Sequence, residues 1–80
     1  MSTEEQLCTI LKNTLSLGNT PLHAHTALLG NLPQLDSMAV LQVLTALEDW
    51  FGIVIDDDDI HARHFATVAT LTAFVEARLP

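Results

Sequence analysis

One serine, Ser37, stands directly behind an acid, Asp36, in the stretch "QLDSMAVLQVLTALEDWFGI" (residues 34–53), where a polar loop gives way to an apolar run of helical period. A serine so placed can be a nucleophile, part of a helix cap, or a point of attachment. As a nucleophile it needs a base in reach, a group to orient that base, and an oxyanion hole. The hydrolase elbow G-x-S-x-G is absent, the local residues being L-D-S-M-A. The four histidines (His23, His25, His61, His64) lie in other segments. His23 with His25 and His61 with His64 have metal-compatible spacing, but no second Cys or His cluster completes a four-ligand site, so they read as solvated or capping residues. The run Asp56 to Asp59 lacks the alternating ligands, glycine and distal glutamate of a calcium loop. Cys8 has no base nearby in sequence and reads as a structural thiol. The remaining chemistry at Ser37 is attachment: a helix start offers unpaired N–H groups and a partial positive charge, which would favour an attached phosphodiester by about 0.3–1 kcal/mol.

The elements that must position Ser37 are helices. Ser2 with Glu5, or Thr3 with Gln6, matches a capping box, and Leu7, Ile10, Leu11 and Leu15 follow on one face, with Gly18 expected to end the first helix. "GNTPLHAHTALLGNLPQLD" then runs without a sustained period, and Leu22, Leu28, Leu29 and Leu32 are its expected anchors to the core. The second helix is expected from an Asp36 cap to Phe51, with Gly52 ending it and Val40, Val43, Leu44, Leu47 and Phe51 facing inward. Trp50 flanks that inward side and reads as a packing residue. On the opposite side lie Met38, Leu41, Gln42, Thr45, Glu48 and Asp49, of which Met38 and Leu41 are out of place on a solvated face. A short third helix is expected to be capped by Asp56 or Asp57, with Ile60 turned inward. A last helix is expected to be capped by Thr67 and to bury Val68, Leu71, Phe74 or Val75, and Leu79. The expectation is an all-α fold, a small four-helix bundle of three long helices and one short, spanning 1–80 as one domain.

Composition agrees. Eighty residues with a single cysteine allow no internal disulfide, so apolar packing must suffice, and 49% hydrophobic residues with a mean hydropathy of +0.32 supply it. No apolar run is long enough to span a membrane, and the acidic start "MSTEEQ" is unlike a targeting peptide, which leads us to expect a cytoplasmic protein. A net charge of -7 repels phosphate backbones and argues against nucleic acid. Asp36, Glu48, Asp49 and Asp56 to Asp59 concentrate that charge in one third of the chain, where it would meet a basic protein surface.

"LDSMAVLQVLTALEDWFGIVIDD", together with "FATVATL" before the last helix, resembles the acyl carrier proteins, whose hallmark is D-S-[LM] at the start of the second helix. The resemblance covers nearly the whole chain. It implies that Ser37 receives 4'-phosphopantetheine from coenzyme A, placed there by a separate Mg-dependent phosphopantetheinyl transferase, and that Asp36 assists that transfer. The thiol of the arm would carry acyl groups as thioesters, so the chain would be a substrate of enzymes and not itself an enzyme, with no resident metal. Met38, Leu41, Thr45, Glu48 and Asp49 would form the docking face for the transferase and for an acyl carrier ligase or synthetase, acyltransferase or ketosynthase. A monomer is expected. Two features depart from the fatty-acid carriers: Ala39 and Gln42 stand where those usually bear acids, and Val54 where many keep a carboxylate. The free-standing form and "FGIVIDDDDI" look like carriers of bacterial exopolysaccharide and exosortase clusters. Aminoacyl, peptidyl or D-alanyl cargo, or an unmodified helical interaction module, are the alternatives.

Overall fold

The computed structural model describes residues 2–18, 20–29, 36–56 and 58–79, and of Ser37 the backbone alone. Among these the order is α1 (Thr3–Thr14), α2 (Ser37–Phe51), a 3-10 turn (Ala62–Phe65) and α3 (Val68–Arg78). α1 packs against both α2 and α3, and the 3-10 turn packs on α3. The all-helical reading holds with one correction. The short third element is a single 3-10 turn preceded by His61; Asp56 does not cap it but belongs to a turn closed by Asp59 N–H to Asp56 O at 3.0 Å, and Asp57 lies outside the described residues. Four residues cannot set up an α-helical ladder, whose first turn fixes three residues for one hydrogen bond.

α1 begins at the expected cap, with Ser2 Oγ accepting from Glu5 N–H at 3.1 Å. It ends earlier than expected. Ser16, in the left-handed conformation (φ 56°), already breaks the helix two residues before Gly18, which is left-handed as well (φ 62°), and Leu17 N–H closes back to Lys12 O at 3.0 Å. α2 ends the same way, as expected, with Gly52 at φ 66° and Ile53 N–H reaching Glu48 O at 3.2 Å. In both motifs the next residue is aliphatic and buried, Leu17 in one and Ile53 in the other. The helix therefore stops where the next apolar side chain must turn into the core.

That core holds Leu7, Ile10 and Leu11 of α1, Val43, Leu44 and Leu47 of α2, and Val68, Leu71 and Val75 of α3. Val40 and Phe51 pack against it only partly buried. α3 buries Phe74 as well as Val75, because one side of it meets the bundle and another meets the 3-10 turn. Of the expected loop anchors, Leu28 is fully buried, Leu22 is half-buried and Leu29 is exposed, while Leu32 lies outside the described residues. Trp50 corrects another expectation: the ring is half exposed, and its Nε1–H donates to Gln6 Oε1 at 2.7 Å, lashing the end of α2 to the start of α1. An indole N–H needs an acceptor, which the apolar interior does not offer.

Backbone bonds hold the long connection to α3. Leu28 and Leu29 donate to Ala66 and Phe65 at 3.0 and 2.9 Å, and in return Val68 and Ala69 donate to Thr26 and Ala24 at 3.1 and 2.8 Å. The loop thus accepts from N–H groups in the first turn of α3, which have no acceptor within the helix. Thr67 caps the same end as expected, its Oγ1 accepting from Thr70 N–H at 3.2 Å.

A non-glycine residue held left-handed costs about 1–2 kcal/mol. Ser16→Gly is expected to relieve most of this, raising stability by about 1 kcal/mol and Tm by roughly 4–8 °C for a domain of this size. A thermal melt followed by circular dichroism checks it, and an unchanged or lower Tm would show that Ser16 is not strained.

Candidate functional site

The start of α2 is built by Asp36. Its backbone is extended (φ -99°, ψ -176°), its Oδ1 accepts from Ala39 N–H at 2.8 Å, and its carbonyl accepts from Val40 N–H at 2.9 Å. Ser37 is therefore the first helical residue, at the electropositive end of a 15-residue helix. Its hydroxyl lies outside the described residues. Only one oxygen of Asp36 is used by the cap; the carboxylate is exposed, and Oδ2 has no protein partner among the described residues.

A groove of about 230 Å³ opens beside this end, lined by Ser16, Asp36, Met38, Ala39 and Gln42 among others. The site fits an attached phosphodiester: the first N–H groups of α2 have no acceptor within the helix, and the left-handed turn after α1 leaves room next to residue 37. The end of α1 was not foreseen as part of this site, because nothing local in its sequence says which helix end will lie beside it.

The exposed side of α2 carries the apolar residues that had seemed misplaced. Met38 is 69% and Leu41 58% exposed, and with Gln42, Thr45, Ala46 and Asp49 they line a shallow groove of about 420 Å³. Thr45 returns its hydroxyl to Leu41 O at 3.1 Å, which makes the surface there less polar than its composition implies. Glu48, expected on this face, is committed elsewhere: it is half-buried and its Oε2 accepts from Ile55 N–H at 2.9 Å. It ties down the segment after α2, so the acid that borders the groove is Asp49. An acid shortly before a left-handed glycine and an extended "IVI" is the signal that could have foretold this bond. Ala39, noted as a place where other carriers hold an acid, is buried, whereas Gln42 and Val54 are exposed.

The other candidates stay apart from this site. Cys8 is half-buried with its thiol toward Leu22 O at 3.9 Å, and burial followed by the nearby Glu4 raises its pKa, so it stays protonated. No metal-binding group of three or more His, Cys, Asp or Glu side chains occurs among the described residues. No described helix is long and apolar enough to cross a membrane.

This arrangement of a capped serine at a helix start beside an exposed apolar face defines a class. Over residues 5–75 the chain matches the family described as the phosphopantetheine attachment site, and it is a carrier of covalent 4'-phosphopantetheine, without catalysis of its own. The fold is similar to the solution NMR structure of a holo acyl carrier protein from Nitrosomonas europaea, with a TM-score of 0.88 and 47% sequence identity over 96% of this chain and 95% of that one. The chain belongs to the acyl carrier protein family. No curated protein matches it.

Removing the cap separates fold from chemistry. Asp36→Ala should cost about 1 kcal/mol of stability, within the usual cap range of about 0.5–2, whereas Asp36→Asn keeps an acceptor for Ala39 N–H and should cost little. Urea unfolding of both variants measures this, and equal losses would mean that the charge, not the hydrogen bond, stabilises the helix start.

Proposed function

We propose that Ser37 is the attachment point, that the arm carries acyl groups as thioesters, and that Met38, Leu41, Thr45 and Asp49 meet the enzymes that load and unload it. The single observation that carries this reading is the position of Ser37 as first residue of α2, at the electropositive end of a helix whose exposed side carries an apolar groove. Loading forms a phosphodiester at the Ser37 oxygen, with loss of its proton, as the nucleotide half of coenzyme A leaves. The helix start stabilises the new negative charge, and the second oxygen of Asp36 is open to a Mg ion brought by the transferase. When bound, the arm supplies a thiol that reaches beyond the protein surface.

Partner recognition follows from the surface. The groove offers Met38 and Leu41 to an apolar patch, while Asp49 and the aspartates after α2 attract a basic rim. Glu48 contributes to that field more than to contact, because Ile55 occupies its carboxylate. Transferase, acyl ligase or synthetase, acyltransferase and ketosynthase are the partner classes this face suits. The protein acts in the cytoplasm as a monomer. With Gln42 and Val54 exposed where acids are usual, we assign it dedicated partners, of the exopolysaccharide type, in place of those of central fatty-acid synthesis. Loading by a generic fatty-acid synthesis enzyme as fast as that organism's principal carrier would contradict the last point.

Incubation with a broad-specificity phosphopantetheinyl transferase, coenzyme A and Mg should add one arm by intact mass, and Ser37→Ala should add none. Asp36→Asn should be modified at least tenfold more slowly while staying folded, the equivalent of about 1.4 kcal/mol in the barrier. Addition to Ser37→Ala would move the attachment point elsewhere.

Met38→Ala and Leu41→Ala should each lower transferase or ligase kcat/KM, by about tenfold if each removes roughly 1–2 kcal/mol of buried contact. Unchanged rates in folded variants would place docking on another face.

A further inference from the structure

His64 lies in the 3-10 turn, away from Ser37 and the docking groove, and its ring has a specific task. Its Nδ1 accepts the backbone N–H of His61 at 2.9 Å, closing the start of the turn. An imidazole can accept at Nδ1 only when neutral, with its proton on Nε2. The ring also lies against Phe74 of α3 at 4.6 Å between centroids, and Thr70 Oγ1 donates to the His64 carbonyl at 3.1 Å.

The charges that face His64 oppose a proton on it. Arg63 and His61 flank it on the turn, and Arg78 comes from α3, its guanidinium 4.8 Å from the centre of the same Phe74 ring. Asp59 pairs with Arg78 at 3.4 Å. Burial, followed by Arg63 and His61, lowers the His64 pKa from the usual 6.5, against a smaller raising effect of the hydrogen bond with the His61 backbone. The turn that this ring closes is also a wall. Ile60, His61, Ala62 and Phe65 face Leu29 and Val40 across an apolar groove of about 280 Å³ between the turn and α2.

We propose that the 3-10 turn is a pH-operated latch: neutral His64 holds the turn closed through the His61 N–H, and protonation of His64 removes that bond and loosens the wall of the groove. The protonated ring presents a donor to a donor, and the cation–π place on Phe74 is already taken by Arg78. Thr70 and the backbone bond from Leu29 to Phe65 O keep the end of the turn attached, and the bond from His64 N–H to His61 O at 2.9 Å does not titrate, so the loosening is confined to the His61 amide and the residues beside it. The sign follows from linkage. A histidine whose pKa is lower folded than unfolded contributes its full stability above about 6.5 and loses it as pH falls from there through the folded value. The proposal stands independently of where the arm is attached.

The test is an amide and imidazole NMR titration of the full chain carrying its phosphopantetheine, from about pH 8 to 5, a range bracketing the ordinary histidine pKa. The His61 amide should lose its hydrogen-bonded downfield shift with the midpoint of the His64 ring, below 6.5. Signals of Ala62, Phe65, Val40 and Leu29 should move with the same midpoint. His64→Asn supplies an acceptor that does not titrate and should abolish the transition, while His61→Asn should retain it. A His61 amide that stays fixed while His64 protonates overturns the latch, as does a wild-type transition in His64→Asn. Loss of the transition in His61→Asn would make His61 the trigger and overturn it too. If His64→Asn fails to fold, the wild-type titration decides alone.

Discussion

Four backbone hydrogen bonds between residues 24–29 and 65–69 are the constraint on which the rest of the molecule depends. A chain without disulfides has to bring a long, aperiodic connection back onto its bundle. Here the connection satisfies the start of α3, and α3 in turn holds the connection. Leu28, fully buried beside these bonds, adds apolar area to the same join. Each polar group left unpaired there would cost about 1–3 kcal/mol, a large share of the stability of so small a protein. With the connection held at that point, α2 packs on α1, with Ser37 as its first residue.

The helix ends repeat one device at two places. A left-handed residue at Ser16 or Gly52 breaks the ladder, and the aliphatic residue after it enters the core. At Gly52 the left-handed backbone is easily reached; at Ser16 it is strained, and the groove beside Ser37 includes that strained residue. Geometry near Ser37 is thus coupled to the way α1 terminates. The lash from Trp50 to Gln6 fixes the same two helices at their other ends.

Charge and apolar surface are divided more finely than the sequence shows. Glu48 and Asp49 are neighbours of like charge, but one accepts a backbone N–H and the other borders the groove. The histidines divide likewise: His23 and His25 are exposed in the connection, while His64 serves as an acceptor inside a network with Phe74 and Arg78. The His64 network leaves a titratable bond at the wall of another groove.

The local pattern alone determined the three α-helices, their caps at Ser2, Asp36 and Thr67, and the exposed pair Met38 and Leu41, because capping and helical periodicity act between residues close in sequence. It also carried the D-S-M motif that points to the attachment chemistry. It could not assign the end of α1 to Ser16, the bond from Glu48 to Ile55, the burial of Ala39, the exposure of Trp50, or the 3-10 turn in place of a short helix. Those were decided by tertiary structure, since each depends on which group from a distant segment, or which side of a packed helix, meets the residue in space.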